Sequence, residues 1–299
     1  MANSFTTEAV QDIVAEGIRE VAQTRAQGFK ACVTDFSDTV NPITNAGIPK
    51  NVQVLVNTTV GTTKINPTSF ENMDNTVTAK AVQLNLLSQQ FGATWNSSIE
   101  LKSLIKSNVN GLINKMYATR DALFTVANFG ELNTVDIAGA TTADKKDELF
   151  QAIWALQTKG MQKFLIAGSS LYSKGMPTNI QSFDPLAGGR IRGFDGYSED
   201  GYLADVDPDG STATLSAGDL KGVITDGGGI ACVAQVPEWN EYVRPLLESQ
   251  NYQVEELGLS IQLNLWGATG SRSGYGSLDI VFGAGVLDAT ATKLIGQSA

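Results

Sequence analysis

The chain has 299 residues, of which 42% are hydrophobic and 17% are charged, and its formal net charge is −10 at neutral pH. This length allows one large domain or two to three smaller ones, with a sizeable buried core. The acidic balance argues against a protein that grips nucleic acid through its phosphates, and the lack of histidine excludes a Ser-His-Asp triad, a Cys-His pair and histidine-ligated zinc.

The chain is predicted to begin with an amphipathic helix over residues 6–30, because apolar residues recur there at three- and four-residue steps. This segment has neither a basic region nor an unbroken apolar stretch, so we expect no signal peptide. No window of the sequence approaches eighteen apolar residues, so we expect no membrane span. Cys32 and Cys232 are too few for a disulfide framework and lack metal-ligand spacing, so we expect both to be reduced and buried.

Residues 51–92 are predicted to form a long β-hairpin. Apolar residues alternate from Val52 to Val56 and again around residues 77–86, and the segment between them is polar and poor in large apolar groups. An isolated two-stranded ribbon is marginal in water, so we expect another surface, from a neighbouring molecule, to support this one. Phe70 is a lone aromatic in the polar tip, where it could fill a neighbour's pocket or pack locally.

Residues 97–129 predict a single helix of about thirty residues, roughly 45–50 Å long. Ser97 and Glu100 fit a capping box at its start, and Gly130 is well placed to follow its last turn. Apolar residues recur along one side only. This pattern is typical of a helix that covers and stiffens a sheet.

The rest of the chain predicts alternating elements. A helix is expected over 143–159, and a loop-like stretch from about residue 179 to residue 229. Strands are expected at "KFLIAG", "GVIT" and "IACVAQVP", and "NEYVRPLLES" is a candidate helix before its proline. The end of the chain predicts two strands, "LSIQLNLWGA" and "SLDIVFGAGVLD", joined by a Gly/Ser turn.

This order of elements resembles the HK97-type major capsid proteins of tailed bacteriophages over nearly the whole chain. "FLIAGSSLYS", "GGRIRGFDGYSED", "GVITDGGGIACVAQVPEW" and the final hairpin are each weak motifs, and their order and spacing carry the resemblance. The resemblance implies an α+β capsid fold with the following parts: an N-terminal arm (1–50), an extended β-hairpin called the E-loop (51–92), a P-domain segment (93–140) with the spine helix (97–129), a central A-domain (141–250) and the C-terminal P-domain strands (251–299).

The resemblance also implies a function. It predicts a major capsid protein without enzymatic activity or cofactor, which self-assembles into hexamers and pentamers of an icosahedral shell around double-stranded DNA. The expected partners are further copies of the chain, a separate scaffolding protein, a portal and, as a further option, a decoration protein, with no membrane partner. Assembly is expected in the host cytoplasm, and the finished protein in the virion.

One chemical option follows from the resemblance. Some members of this family join a lysine of the E-loop to an asparagine of the P-domain through an isopeptide bond, with help from a nearby carboxylate. Lys64 and Asn264 are the candidates in this sequence, although most members lack the reaction. Lys64, as the candidate crosslink residue, and Phe70, as the lone aromatic of the tip, are the two candidate inter-subunit contact residues.

Two motifs suggest other chemistry. Asp205, Asp207 and Asp209 copy the first half of a calcium-binding loop, but Ser216 stands where such a loop needs a bidentate glutamate. An Asp/Pro/Gly turn is therefore favoured over a weak cation site. "TDGGGIAC" fails the dinucleotide fingerprint because a cysteine replaces its third glycine. The alternative functions are another virion structural protein, such as a tail tube or decoration protein, and a calcium-dependent carbohydrate-active enzyme or lectin.

Overall fold

The computed structural model describes residues 7–35, 50–57, 77–92, 98–156, 164–168, 171, 203–206, 220–237, 248–254, 259–267 and 274–297. Its α-helices are α1 (Thr7–Arg25), α2 (Ser98–Asp121), α3 (Val126–Phe129) and α4 (Ala143–Ala155), with short 3-10 helices at Ala26–Ala31 and Ala289–Ala291. Its strands are β1 (Val33–Asp35), β2 (Lys50–Asn57), β3 (Val77–Gly92), β4 (Leu132–Val135), β5 (Phe164–Ala167), β6 (Leu203–Val206), β7 (Leu220–Thr225), β8 (Ile230–Gln235), β9 (Glu248–Val254), β10 (Leu259–Gly267), β11 (Gly274–Val286) and β12 (Thr292–Gln297).

Among the described residues the larger sheet has seven strands, and β11 is its central one. The order is β1-β8-β11-β10-β9, with β3 also paired to β11 and β2 paired to β3. Side chains alternate between the two faces of β11. Even-numbered residues from Leu278 to Phe282 join the main core beneath α1 and α2, and we call this side the inner face. Odd-numbered residues from Ser277 to Gly285 lie on the opposite, outer face.

The smaller sheet, in the part of the chain that the structure describes, has five strands in the order β4-β12-β7-β5-β6. A second core forms on it, in which Leu149 and Ile153 of α4 contact buried residues of the strands. The sheet gains its burial from short, continuously apolar strands such as β5, whose four residues are all buried. Such runs are typical of strands covered on both faces.

The predicted helix over 97–129 is wrong in its C-terminal part. Helix α2 ends at Asp121, and the Phe124 N–H bonds to the Asp121 carbonyl across a tight turn before α3 begins. Phe124 and Phe129 both enter the main core, with ring centroids 6.1 Å apart. In a straight helix the side chains of two residues that are five positions apart point in directions about 140° apart. The turn therefore lets both rings share one core, and Gly130 ends α3 with a φ of 84°.

Most predicted strands are confirmed, and so is helix α4. The predicted first helix is also present, but it ends at Arg25 and a 3-10 helix follows it, instead of one helix that continues to residue 30. Strands β1, β4 and β12 were not predicted, and β6 lies within the predicted loop 179–229. The candidate helix before Pro245 lies outside the described residues, and the last two residues of "NEYVRPLLES" begin β9. In β9 only Tyr252 and Val254 are buried apolar residues, which is too weak an alternation to predict a strand.

The two sheets exchange strands across the predicted domain boundaries. Strand β9 spans the predicted boundary at residues 250/251, β8 joins the larger sheet, and β12 joins the smaller one. No helix among the described residues is long and apolar enough to cross a membrane.

Neither cysteine forms a disulfide bond and both are buried, as predicted. Pairing of β1 with β8 brings them together, although they are 200 residues apart in the sequence. A hydrogen bond between the Cys232 thiol and Cys32, together with burial, raises the pKa of Cys232 well above its usual range. A thiol with a raised pKa in apolar surroundings is a poor nucleophile, which fits a packing role.

Candidate functional site

The predicted hairpin is present as an antiparallel ribbon that extends from the larger sheet. Strand β3 is 16 residues long and serves two ladders: its first half pairs with β2, from Val77 to Leu84, and its second half pairs with β11, from Asn85 to Gly92. We call residues 50–57 and 77–84 the ribbon. Its tip, with the candidate contact residues Lys64 and Phe70, lies outside the described residues.

The base of the ribbon packs on the chain's own outer face. Val52, Val82 and Leu84 are buried in one cluster with the following residues of the β8–β11 region: Ala231, Val233, Val281 and Leu287. Burying an aliphatic side chain of this size contributes about 1.5–3 kcal/mol. The expectation that a neighbouring molecule supports the ribbon is therefore wrong for its base, where the subunit itself supplies the surface.

The ribbon is buried on the side that faces the outer face and exposed on its opposite side. Val52 is 7% exposed, Val54 is half-buried and Leu55 is 71% exposed. Leu55 lies opposite Ala79, which is also exposed, on the side that the outer face does not cover. Among the described strands β2 pairs only with β3, so its other edge is unpaired there. An exposed leucine beside an open strand edge is a candidate for protein contact.

Helix α1 lies on α2 and is joined to it by charged side chains. Lys102 Nζ is 2.8 Å from Glu16 Oε1 and 2.7 Å from Glu20 Oε1, and Lys106 also forms an ion pair with Glu20. Hydrogen bonds from Lys102 and Lys106 lower the pKa of Glu20 to about 2. Apolar residues of both helices, including Ile18, are buried beneath this layer of charge.

A buried arginine near the end of α2 holds the segment that follows α1. The Arg120 guanidinium donates to the Gly28 carbonyl oxygen over 3.1 Å, and the Gly28 N–H donates to the Tyr117 hydroxyl over 3.1 Å. Arg120 also forms an ion pair with Asp121 at 2.7 Å and stacks on the Tyr117 ring. This site was not predicted, although a charged residue one turn after Met116 in an apolar stripe is a detectable signal in the sequence.

The candidate crosslink residue Asn264 lies in β10 on the outer face and is fully buried. Its Nδ2 donates to Asp279 Oδ2 over 2.7 Å and to Gln262 Oε1 over 3.2 Å, and its Oδ1 accepts from the Ser249 hydroxyl over 2.7 Å. Both amide hydrogens and the oxygen are therefore occupied. Sequence reasoning did not predict this polar network.

The candidate calcium loop is only partly described. Asp205 belongs to strand β6, which pairs with β5, whereas Asp207, Asp209 and Ser216 lie outside the described residues. Within the described part of the chain, no group of three or more cysteine, aspartate and glutamate side chains is placed to hold a metal ion.

No protein-family model matches the chain, and no curated protein matches it in sequence. Among solved structures it is similar to the virus-like particle from Pyrococcus furiosus, with a TM-score of 0.51 and 11% identity over 97% of this chain and 98% of that one. Other similar structures are the capsid of an empty GTA particle (TM-score 0.47, 14% identity, 90% of this chain and 95% of that one) and the capsid of the cyanophage P-SCSP1u (TM-score 0.44, 12% identity, 90% and 87%). The full-length likeness to the virus-like particle chain shows a shared fold and confirms the predicted mixed α+β class.

Proposed function

We propose that this protein is the major capsid protein of a tailed bacteriophage, a non-enzymatic shell subunit that forms the hexamers and pentamers of an icosahedral capsid. The observation that carries the proposal is the fold shared, from end to end, with a virus-like particle chain. In this proposal the ribbon is the E-loop, α2 is the spine helix and α1 belongs to the N-terminal arm.

The proposal assigns the two sheets to the two domains of the capsid fold. The seven-stranded sheet with α2 is the P-domain, and the five-stranded sheet with α4 is the A-domain. The predicted division at residues 140 and 250 is kept as an approximate one, with two changes suggested by strand pairing: β8 serves the P-domain sheet and β12 returns to the A-domain sheet.

The geometry of the ribbon supports a role in assembly. Its base is fixed on the subunit by buried aliphatic residues, whereas Leu55 further along is exposed beside an open strand edge. Such a surface gains stability when another chain covers it. Contacts of this kind, repeated between different surfaces of identical subunits, generate closed symmetric assemblies, and many modest contacts per subunit add up to a stable shell.

The net charge of −10 supports the role of a container for double-stranded DNA. A shell with a net negative charge repels the phosphates of DNA, so it encloses the DNA without sequence-specific binding. The further partners in this proposal are a separate scaffolding protein and a portal, with a decoration protein as a further option. The proposed sites of assembly and residence are the host cytoplasm and the virion.

Electron microscopy of the purified, overexpressed chain tests the proposal. Closed shells of uniform diameter are the expected result. Open tubes of uniform width would indicate a tail-tube protein instead. A compact monomer that persists at high concentration, with and without co-expressed phage scaffolding protein, would overturn the capsid assignment.

A further inference from the structure

The ribbon leaves the larger sheet at two glycines of β11. The ladder between β3 and β11 ends at the pair Phe282–Asn85, and β3 then crosses the outer face instead of continuing alongside β11. At this crossing a Cβ added to Gly283 would collide with the Gln83 carbonyl oxygen and would stand 2.8 Å from Leu84 Cδ2. A Cβ added to Gly285 would stand 2.9 Å from Val82 Cγ2.

We infer that Gly283 and Gly285 are positioning residues, which set the angle at which the ribbon projects from the subunit. We call the pair the glycine notch. Among the described glycines, only Gly130 and Gly227 have a positive φ, so unusual backbone conformation does not explain the two notch residues. What the notch requires is the absence of a side chain, which lets the backbone of β3 lie directly on that of β11.

The two glycines act in different ways. At Gly283 the obstacle is backbone, the carbonyl group of Gln83, which no rotamer change can move. At Gly285 the obstacle is one methyl group of Val82, and the Val82 Cβ lies at an ordinary 3.6 Å. An alanine at residue 283 must therefore displace the strand, whereas an alanine at residue 285 displaces it only while Val82 keeps its methyl groups.

The length of the ribbon amplifies a change at the notch. Ala79, opposite Leu55, is five residues beyond Leu84. At about 3.3 Å per residue this is about 16 Å, so a rotation of about 15° at the notch moves Leu55 by about 4 Å. Under the proposed function, such a displacement carries the exposed part of the ribbon away from the partner surface that it must meet. This consequence for assembly rests on the capsid assignment, but the effect on ribbon direction does not.

Distances between spin labels in unassembled subunits test the inference directly. Labels are attached through Leu55→Cys on the ribbon and Ser103→Cys on α2, two exposed positions, and the native cysteines are buried. We expect Gly283→Ala to shift the distance between the labels by several ångströms. Gly92→Ala is the matched control, because it lies in β3 itself and an added Cβ there meets nothing within 4 Å.

A rescue experiment separates positioning from general damage. Gly285→Ala should shift the distance between the labels, and Val82→Ala added to it should restore the wild-type distance, because it removes the obstructing methyl group. This pair also provides the test if Gly283→Ala does not fold, as judged by circular dichroism. Unchanged distances in Gly285→Ala and in any folded Gly283→Ala would overturn the inference.

Particle formation distinguishes this inference from the proposed function. If the wild-type chain forms shells, we expect Gly283→Ala to lose them and Gly92→Ala to keep them. Normal shells from a folded Gly283→Ala with unchanged distances would contradict the notch alone. A wild-type chain that forms no shells, but in which the notch variants shift the distances between the labels, would contradict the capsid assignment and support the notch.

Discussion

The guanidinium of Arg120 donates to the carbonyl oxygen of Gly28 over 3.1 Å, joining two points 92 residues apart in the sequence. Arg120 is fully buried and also pairs with Asp121, its neighbour in the chain. The arginine therefore does two things at once: it neutralises a buried carboxylate and satisfies the backbone of the 3-10 helix after α1. Removing a buried charge with two such roles strongly lowers the stability of the fold.

We predict that Arg120→Met lowers the free energy of unfolding of the unassembled subunit by about 3–5 kcal/mol, because it leaves the Asp121 carboxylate buried without its cation. Chemical denaturation followed by circular dichroism measures the change. Arg19→Met is the control, since Arg19 is exposed on α1, and surface substitutions of this kind change stability by about 0.5 kcal/mol or less. Equal losses in the two variants would contradict a special role for Arg120.

Glu20 makes the packing of α1 on α2 depend on pH. Its folded-state pKa is about 2, below its ordinary value of 4.5, because Lys102 and Lys106 donate hydrogen bonds to the carboxylate. A depressed pKa stabilises the folded state above the unfolded-state value. We therefore expect this contribution to be complete above pH 4.5 and to be lost as the pH falls from 4.5 towards 2.

Stability curves between pH 2 and pH 5, the range that brackets these two pKa values, measure this contribution. Glu20→Gln should flatten part of the wild-type slope in this range, since the amide cannot titrate. Because the Glu20 carboxylate is exposed, added salt should weaken its ion pairs with Lys102 and Lys106 and shrink the difference between the two proteins. Glu131→Gln, at an exposed position outside α1 and α2, is the control for the loss of a carboxylate elsewhere on the surface.

The sequence predicted the parts of the fold that have strong local patterns. The alternation around Val52 and the one-sided apolar stripe of α2 identified the ribbon and the long helix, and both are present. The end of α2 was missed because the turn after Asp121 is fixed by tertiary packing of Phe124 and Phe129, whereas the apolar spacing continues through Leu123 and Ala127 as it would in a helix. Strand pairing across the two sheets, as in β12, depends on contacts between distant segments, which no local period encodes.

The functional surface was predictable in outline only. The polar tip identified the ribbon as a projecting element, but the position of its base on Val233 and Val281 depends on the notch glycines. From the sequence "FGAGVLD" alone, the glycines are expected only to weaken a strand. Their role as a passage for another backbone becomes visible only when β3 lies across them.

The buried network around Asn264 gives a further test. We predict that Asn264→Leu lowers the free energy of unfolding by about 1–3 kcal/mol, because it removes a 2.7 Å hydrogen bond from the buried Asp279 carboxylate. Gln253→Leu is the control, an exposed position on the neighbouring strand β9. Chemical denaturation compares the two variants. A loss in Asn264→Leu no larger than that in Gln253→Leu would show that the network adds nothing to stability.

The same burial leads to an expectation about covalent chemistry. Because the Asn264 side chain is fully buried and both its amide hydrogens and its oxygen are hydrogen-bonded, we expect no isopeptide bond between it and Lys64. Particles boiled in detergent should then run as a monomer band on a denaturing gel. A ladder of covalent multimers that disappears in Lys64→Arg would contradict this expectation.

Leu55 offers the sharpest separation of assembly from folding. It is 71% exposed in the single subunit, so Leu55→Thr removes little buried apolar area and keeps a side chain that favours strands. We expect the free energy of unfolding of the unassembled subunit to change by about 0.5 kcal/mol or less.

If another subunit covers this part of the ribbon, the same substitution should raise the concentration needed for assembly about tenfold or more. The reason is that truncating a buried aliphatic contact repeated around the shell costs at least about 1.4 kcal/mol per subunit. Sedimentation of particles against free subunits measures this concentration, with Gln53→Thr, an exposed position on the same side of β2, as the control. Equal assembly of the two variants and the wild type would mean that the exposed part of the ribbon is not a subunit contact, and the surface that holds the shell together would have to be sought elsewhere on the chain.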